Sequence, residues 1–179
     1  LNDTVLVTTI DNVASDQSAG LDLSGTWKPA SFLNLNGGLS GFYSTLDASN
    51  IGYSSKQSTF SWNFKLNASF TITKTTLFQI NGQYRSEMLT AQGTRSPFWV
   101  VNLGFRQDFW KKKLSLVLTA SDLFSSMRMQ SRINSPELVL ESTRKRDGLV
   151  VYGGVVFNIG SKGKKAKEAK FEYDNSQGD

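Results

Sequence analysis

An unbroken alternation of apolar and polar residues runs through residues 59–72. Every even position is apolar and every odd position is polar. Successive side chains of a β-strand point to opposite faces, whereas a helical period does not fit this pattern. The segment therefore predicts a long strand with one apolar and one polar face. The apolar set is Phe60, Trp62, Phe64, Leu66, Ala68, Phe70 and Ile72.

The same period of two recurs along most of the chain. It is clear in residues 21–28, 33–43, 78–85, 99–106, 114–121 and 151–158, and weaker near residues 4–10. The repetition predicts an all-β chain of about eight antiparallel strands. Many of these segments approach the ~9–11 residues that a tilted strand needs to cross a bilayer.

The predicted connections alternate between short and long. Residues 28–31, 73–74 and 111–113 form tight turns, whereas 47–58, 86–97 and 122–147 are long, polar loops. Short periplasmic turns and long extracellular loops are typical of β-barrels in the Gram-negative outer membrane. With a last strand ending near Gly160, this assignment predicts a periplasmic C-terminus.

Aromatic residues on the apolar face cluster near the predicted strand ends. Belts of aromatic side chains at both membrane interfaces accompany barrels embedded in lipid, and a soluble barrel has no reason to sort aromatics by depth. The outer-end group is Tyr43, Phe60, Trp62, Tyr84 and Trp99, and the periplasmic-end group is Trp27, Phe70, Phe78, Phe109 and Phe157.

The polar face is rich in Asn, Gln, Ser and Thr and has few pairs of Lys with Glu. That composition suits a water-filled or plugged lumen better than a soluble surface. A soluble sandwich or barrel, with its apolar face inward, explains the alternation equally well and is the competing interpretation.

Composition argues against catalysis. The sequence contains no His and no Cys, which removes disulfides, thiolate and imidazole metal ligands, and the commonest general base. We therefore expect no enzyme activity, no cofactor and no metal. The net charge is +5, but the basic residues form short clusters at predicted turns, so nucleic acid is not an expected partner.

Two groups of polar residues are candidates for binding. Loop arginines can contact an anionic ligand or the phosphates of lipopolysaccharide, although such residues are often only solvated charges. Lumen-facing residues can contact a plug or line a pore, although they also serve simply to fill a barrel interior with hydrogen-bonding groups. The predicted lumen-facing residues are Asn63, Lys65, Asn67, Gln79, Asn81, Gln83, Asn102 and Arg106, and the predicted residues of extracellular loops or outer strand ends are Arg85, Arg95, Arg128 and Arg132.

Several short motifs resemble the C-terminal barrel strands of TonB-dependent-receptor-like outer-membrane proteins. The more specific ones are residues 90–93 (Thr-Ala-Gln-Gly) and 121–124 (Ser-Asp-Leu-Phe), where Ser125 stands in place of a common Asn. The chain also departs from the family pattern by continuing beyond Phe157, the expected terminal aromatic. The more generic motifs lie at residues 82–85, 101–105, 112–116 and 155–160.

The resemblance implies a barrel of about 22 strands with an N-terminal plug, which takes up a large nutrient using energy from an inner-membrane complex. Residues 1–160 would supply the last strands, and residues 161–179 a basic, disordered periplasmic tail. The implied partners are outer-membrane lipid, the plug domain, the remaining strands and, through the plug, TonB. A stand-alone eight-stranded barrel with a structural or adhesive role and a soluble ligand-binding barrel are the alternatives.

Overall fold

The computed structural model describes residues 16–47, 49, 56–90, 93–134, 139–145, 148–159 and 171. The predicted strand near residues 4–10 lies outside these described residues. So does the predicted tail, residues 161–179, apart from Phe171.

Seven antiparallel strands form the main sheet, in the order β1-β2-β3-β4-β7-β8-β11. Their positions agree with the alternating segments of the sequence, so the predicted all-β, antiparallel class is confirmed. The strands are β1 (Asp16–Ala30), β2 (Leu33–Leu46), β3 (Gln57–Thr73), β4 (Thr76–Arg85), β7 (Phe98–Phe109), β8 (Leu114–Ser121) and β11 (Val150–Phe157).

A second sheet of four strands forms within the longer connections, in the order β10-β9-β6-β5. The prediction that residues 86–97 and 122–147 are loops was therefore wrong in part. These strands are too short or too highly charged to show a clear alternation, and they are stabilised by pairing between distant segments. They are β5 (Met88–Thr90), β6 (Gly93–Arg95), β9 (Arg128–Asn134) and β10 (Val139–Lys145).

All three tight turns lie at one end of the main sheet. Residues 31–32 join β1 to β2, residues 74–75 join β3 to β4, and a 3-10 turn at Trp110–Lys112 leads from β7 towards β8. The last turn is anchored by Asn158, whose Nδ2 donates to the Lys112 carbonyl at 2.9 Å and whose backbone N–H donates to the Lys113 carbonyl at 2.8 Å. Because strand direction alternates, the long connections lie at the opposite end, as the sequence predicts.

In the central strands β3, β4, β7 and β8, the polar face of the main sheet is more deeply buried than the apolar face. Asn102 and Ser115 are 0% exposed, whereas Phe60 is 62% and Leu118 is 41% exposed. Among the described residues, buried polar side chains outnumber buried apolar ones. A soluble protein buries its apolar groups, so this distribution contradicts a soluble core and fits a wall that curves around a polar interior.

Both edges of the main sheet are open among the described residues. β1 pairs only with β2, and β11 pairs only with β8. Nearly all residues of these two strands are exposed on both faces. In the part of the chain that the structure describes, no helix has the length and apolar character needed to cross a membrane.

Candidate functional site

A row of asparagines crosses the centre of the polar face. The strand register places Asn36 of β2, Asn67 of β3, Asn81 of β4 and Asn102 of β7 side by side. Asn102 Nδ2 donates to Asn81 Oδ1 at 3.1 Å, and Asn36 Nδ2 donates to Thr26 Oγ1 of β1 at 2.8 Å. Five adjacent strands are thus connected by one polar row.

All eight predicted lumen-facing residues lie on this polar face, because their register partners alternate consistently across β3, β4 and β7. Their environments differ. Lys65 is exposed, whereas Asn102 and Gln79 are buried, and Gln79 donates a hydrogen bond to Asn67. The face therefore combines a hydrogen-bonded centre with an accessible lysine towards the end that carries the long connections.

Arg106 lies in a closed polar cluster near the tight-turn end. Its Nε is 2.8 Å from Asp108 Oδ1, and its Nη2 donates to Ser115 Oγ at 3.1 Å. Ser115 Oγ in turn donates to Asp108 Oδ1 at 2.7 Å. The Arg106 side chain is only 15% exposed, so its charge is neutralised inside the wall and joins β7 to β8.

The Ser-Asp-Leu-Phe motif at residues 121–124 links the two sheets. Asp122 adopts a φ of +53°, and its backbone N–H donates to Asn102 Oδ1 at 2.9 Å. Its carboxylate accepts hydrogen bonds from the Ser126 N–H at 2.8 Å, the Ser126 hydroxyl at 3.1 Å and the Met127 N–H at 3.2 Å. This buried acid therefore fixes the path of the chain from β8 into β9.

The four predicted loop arginines lie on strands, and the structure separates them into two pairs. Arg85 ends β4 on the polar face, and Arg95 ends β6. Arg95 pairs with Met88 and Ser131, so it shares a face of the second sheet with them. Arg128 and Arg132 of β9 point to the opposite face, because side chains alternate along a strand.

The surroundings of these arginines also differ. Arg132 faces Glu141 at 3.6 Å, and both side chains are well exposed. Arg85 instead lies over the ring of Phe98, with its guanidinium carbon 4.5 Å from the ring centroid. Arg85 lies at the end of β4, in agreement with the alternation of residues 78–85. Arg95, Arg128 and Arg132 lie on short strands within the predicted loops, because the pairing of β6 with β9 is not visible in the local sequence.

A small apolar cluster beside Arg85 was not predicted. Phe98, Val100 and Met127 are buried together where the second sheet joins the polar face. Phe98 and Val100 lie on the polar face of β7, because Phe98 faces Arg85 and Val100 faces Gln83. The apolar run Phe98–Val101 interrupts the alternation there. It is the feature of the sequence from which an apolar cluster on the polar face could have been predicted.

Aromatic side chains contact one another on the exposed apolar face. At the end with long connections, the rings of Trp62 and Tyr84 are 4.6 Å apart, and those of Trp99 and Phe124 are 5.5 Å apart. Towards the tight-turn end, Phe70 and Phe78 are 6.2 Å apart. Aromatic groups thus lie towards both ends of the wall, as the interfaces of a bilayer require.

Asp47 connects the ends of β2 and β3. The hydrogen bond from the Ser49 hydroxyl, followed by that from the Ser49 N–H and the nearby Lys56 ammonium, lowers the pKa of Asp47 below its ordinary value. This interaction is present when Asp47 is ionised and is lost as the pH falls through that lowered pKa.

Across the described ranges, no group of three potential acidic metal ligands occurs.

A polar buried face, an exposed apolar face with aromatic groups near both ends, and long antiparallel strands define the wall of a membrane β-barrel. Residues 1–152 match the model of the outer membrane protein beta-barrel family, and the chain belongs to that family. Its location is accordingly the outer membrane, and its apolar face contacts lipid. No curated protein and no solved structure matches the chain.

Proposed function

We propose that this chain forms part of the barrel wall of a TonB-dependent-type receptor in the outer membrane of a Gram-negative bacterium, and that the full-length receptor takes up a large nutrient. The observation that carries the proposal is the open main sheet. Each of the seven strands pairs with the next strand of the main sheet, yet the outer edges of β1 and β11 have no partner among the described residues. In lipid, those backbone groups need partner strands, which favours a larger barrel.

The polar face supports a plugged interior. In its central row of asparagines, Asn36, Asn67 and Asn81 are exposed or half-buried and offer amide groups to a domain packed inside the barrel, whereas Asn102 is buried within the wall. A plug domain in that position is the partner we propose, with TonB acting through the plug. Without a plug, these amides would form hydrogen bonds only within the wall, as Asn81 and Asn102 do with each other.

The proposed orientation places the second sheet outside the cell. Long connections belong to the extracellular side of outer-membrane barrels, and β5, β6, β9 and β10 all lie within them. The end of β11 then faces the periplasm, beside the turn that Asn158 anchors. In this orientation Arg85 and Arg95 lie near the extracellular entrance.

A non-catalytic role is part of the proposal. The two buried carboxylates among the described residues, Asp108 and Asp122, already accept hydrogen bonds that hold strands and connections together. A catalytic acid or base needs to reach a substrate proton, whereas these groups are occupied by the protein itself.

An electrophoretic comparison tests whether the chain needs further strands. The 179-residue chain and the full-length protein would be refolded in detergent and run with and without boiling. We expect a compact, heat-modifiable band from the full-length protein only. A compact band from the 179-residue chain would instead favour the stand-alone eight-stranded barrel.

Uptake is tested separately in cells. Accumulation of labelled nutrients would be compared in cells with the full-length protein, in cells without it, and in cells lacking the inner-membrane energy-coupling complex. The proposal expects uptake of at least one nutrient to require both components. Uptake that continues without the energy-coupling complex would contradict the TonB-dependent assignment.

A further inference from the structure

We infer that Arg85 and Arg95 form a binding site for a soluble oxyanion, a carboxylate or phosphate group, where the polar face meets the second sheet. Strand pairing brings these residues together: Arg85 of β4 pairs with Phe98 of β7, and Arg95 of β6, three residues before Phe98, pairs with Met88, three residues after Arg85. Two like charges held near each other in a protein wall favour an anion between them.

The hydrogen-bonding state of both guanidinium groups supports the site. The Nε atoms of Arg85 and Arg95 are buried, and neither has a hydrogen-bond partner. No carboxylate among the described residues lies within ion-pair distance of either arginine, in contrast to Arg106 and Arg132. An anion cannot reach the buried Nε atoms, so it would bind the terminal N–H groups of these partly exposed side chains, for which no carboxylate of the described residues competes.

The neighbouring residues favour planar recognition. Phe98 holds the Arg85 guanidinium over its ring, and Val100 and Met127 bury the base of that contact. Both arginines remain partly exposed, so a ligand can reach their outer edges. The Arg85 guanidinium, fixed in this way, presents its two terminal N–H groups to the two oxygens of a carboxylate or phosphate.

The position of the site distinguishes a soluble ligand from a lipid headgroup. Arg85 lies on the polar face, opposite Asn63, whereas the lipid-contacting face carries the neighbouring Tyr84. An anion in the barrel interior reaches Arg85 directly, while a phosphate of lipopolysaccharide would approach from the other side of the wall. The binding site itself does not depend on the proposed uptake function. Only the further statement, that the bound oxyanion belongs to the transported nutrient, rests on it.

Calorimetric titration of the full-length protein in detergent with inorganic pyrophosphate, and separately with citrate, tests the site at low ionic strength. We expect saturable binding of at least one probe. Arg85→Gln and Arg95→Gln should each weaken its Kd by about tenfold to a hundredfold, as expected for loss of a charged hydrogen-bond donor. Arg128→Gln and Arg132→Gln, on the opposite face of the second sheet, are the matched controls and should change the Kd less than about threefold.

Two further measurements complete the test. Heat-modifiable migration establishes that each variant folds, and Arg85→Lys, which keeps the charge but loses the planar group, provides a second variant with an intermediate loss. Vesicles containing lipid A should bind the wild type and Arg85→Gln equally. Absence of probe binding, equal losses in the control variants, or arginine-dependent binding of lipid A alone would overturn the inference.

The binding experiment can reject the anion site without rejecting transport, and the uptake experiment can reject transport without rejecting the anion site. Probe binding without energy-dependent uptake would retain the anion site and reject the proposed transport function. Uptake that is unaffected by Arg85→Gln and Arg95→Gln, in a protein that binds neither probe, would retain transport and reject the site.

Discussion

Asp122 shows how a single residue connects the wall to the structure at its outer end. Its carboxylate holds the Ser126 and Met127 amides, and its own N–H is held by Asn102, which also donates to Asn81. The turn requires a positive φ at Asp122, a conformation that Asp and Asn adopt more readily than most residues. The Ser-Asp-Leu-Phe motif is therefore explained by folding.

Replacement of Asp122 should be destabilising. Asp122→Ala removes a buried acceptor of three hydrogen bonds, and we expect the free energy of unfolding of the full-length protein to fall by about 1.5–3 kcal/mol. Denaturant unfolding in detergent measures this change. Asp22→Ala, at an exposed position of β1, is the control. Equal stability of both variants would contradict the structural role of Asp122.

Gly93 provides a second test at the scale of one residue. A Cβ at this position would lie 1.8 Å from the Arg132 carbonyl oxygen, so Gly93→Ala cannot keep β6 against β9 without a backbone shift. We expect a loss of about 1–3 kcal/mol, the usual cost of overpacking, and faster hydrogen exchange in residues 93–95 and 131–133. A Cβ at Gly82 meets nothing within 4 Å, so Gly82→Ala is the matched control. Unchanged exchange in Gly93→Ala would show that this close approach is absent.

The long strands were predictable because their signal is local. In β3 the alternation alone assigns each side chain to a face. The register that places Asn67 beside Asn36 and Asn81 is seen only in the structure. β5 and β6 have three residues each, too few for a period to be recognised. The pairing of Gly93–Arg95 with β9 depends on contacts between distant segments, which no local pattern encodes.

Lysine substitutions on neighbouring positions of β3 test the face assignment. Leu66→Lys places a charge on the lipid-contacting face and should destabilise the full-length protein by about 2–4 kcal/mol near mid-bilayer. Asn67→Lys, on the polar face, should cost only about 1 kcal/mol, for the hydrogen bond donated by Gln79. Refolding into lipid vesicles at increasing urea concentration measures both. A larger loss for Asn67→Lys than for Leu66→Lys would reverse the assignment.

At the scale of the whole molecule, the sequence predicts the faces of the wall more completely than its binding site. The eight polar-face residues follow from alternation, because their positions depend only on strand period. The separation of Arg85 and Arg95 from Arg128 and Arg132 depends on the second sheet and could not be read from the sequence. Arg106 and Asp108 lie two positions apart on one face of β7, so their ion pair follows from alternation within a single strand. The contact of both residues with Ser115 depends on the β7–β8 register and could not be predicted locally.

The central claim is that the polar face lines the barrel interior and the apolar face contacts lipid. This chain contains no cysteine, so spin labels can be placed at single introduced cysteines in the full-length protein reconstituted in lipid vesicles, once any cysteine outside this chain is replaced. We would label positions 63, 64, 65 and 66 of β3 and compare collisions with oxygen, which partitions into lipid, and with a water-soluble nickel chelate. The account predicts that oxygen dominates at Phe64 and Leu66 and the nickel chelate at Asn63 and Lys65. Predominant nickel collisions at Phe64 and Leu66, or no period of two, would contradict it.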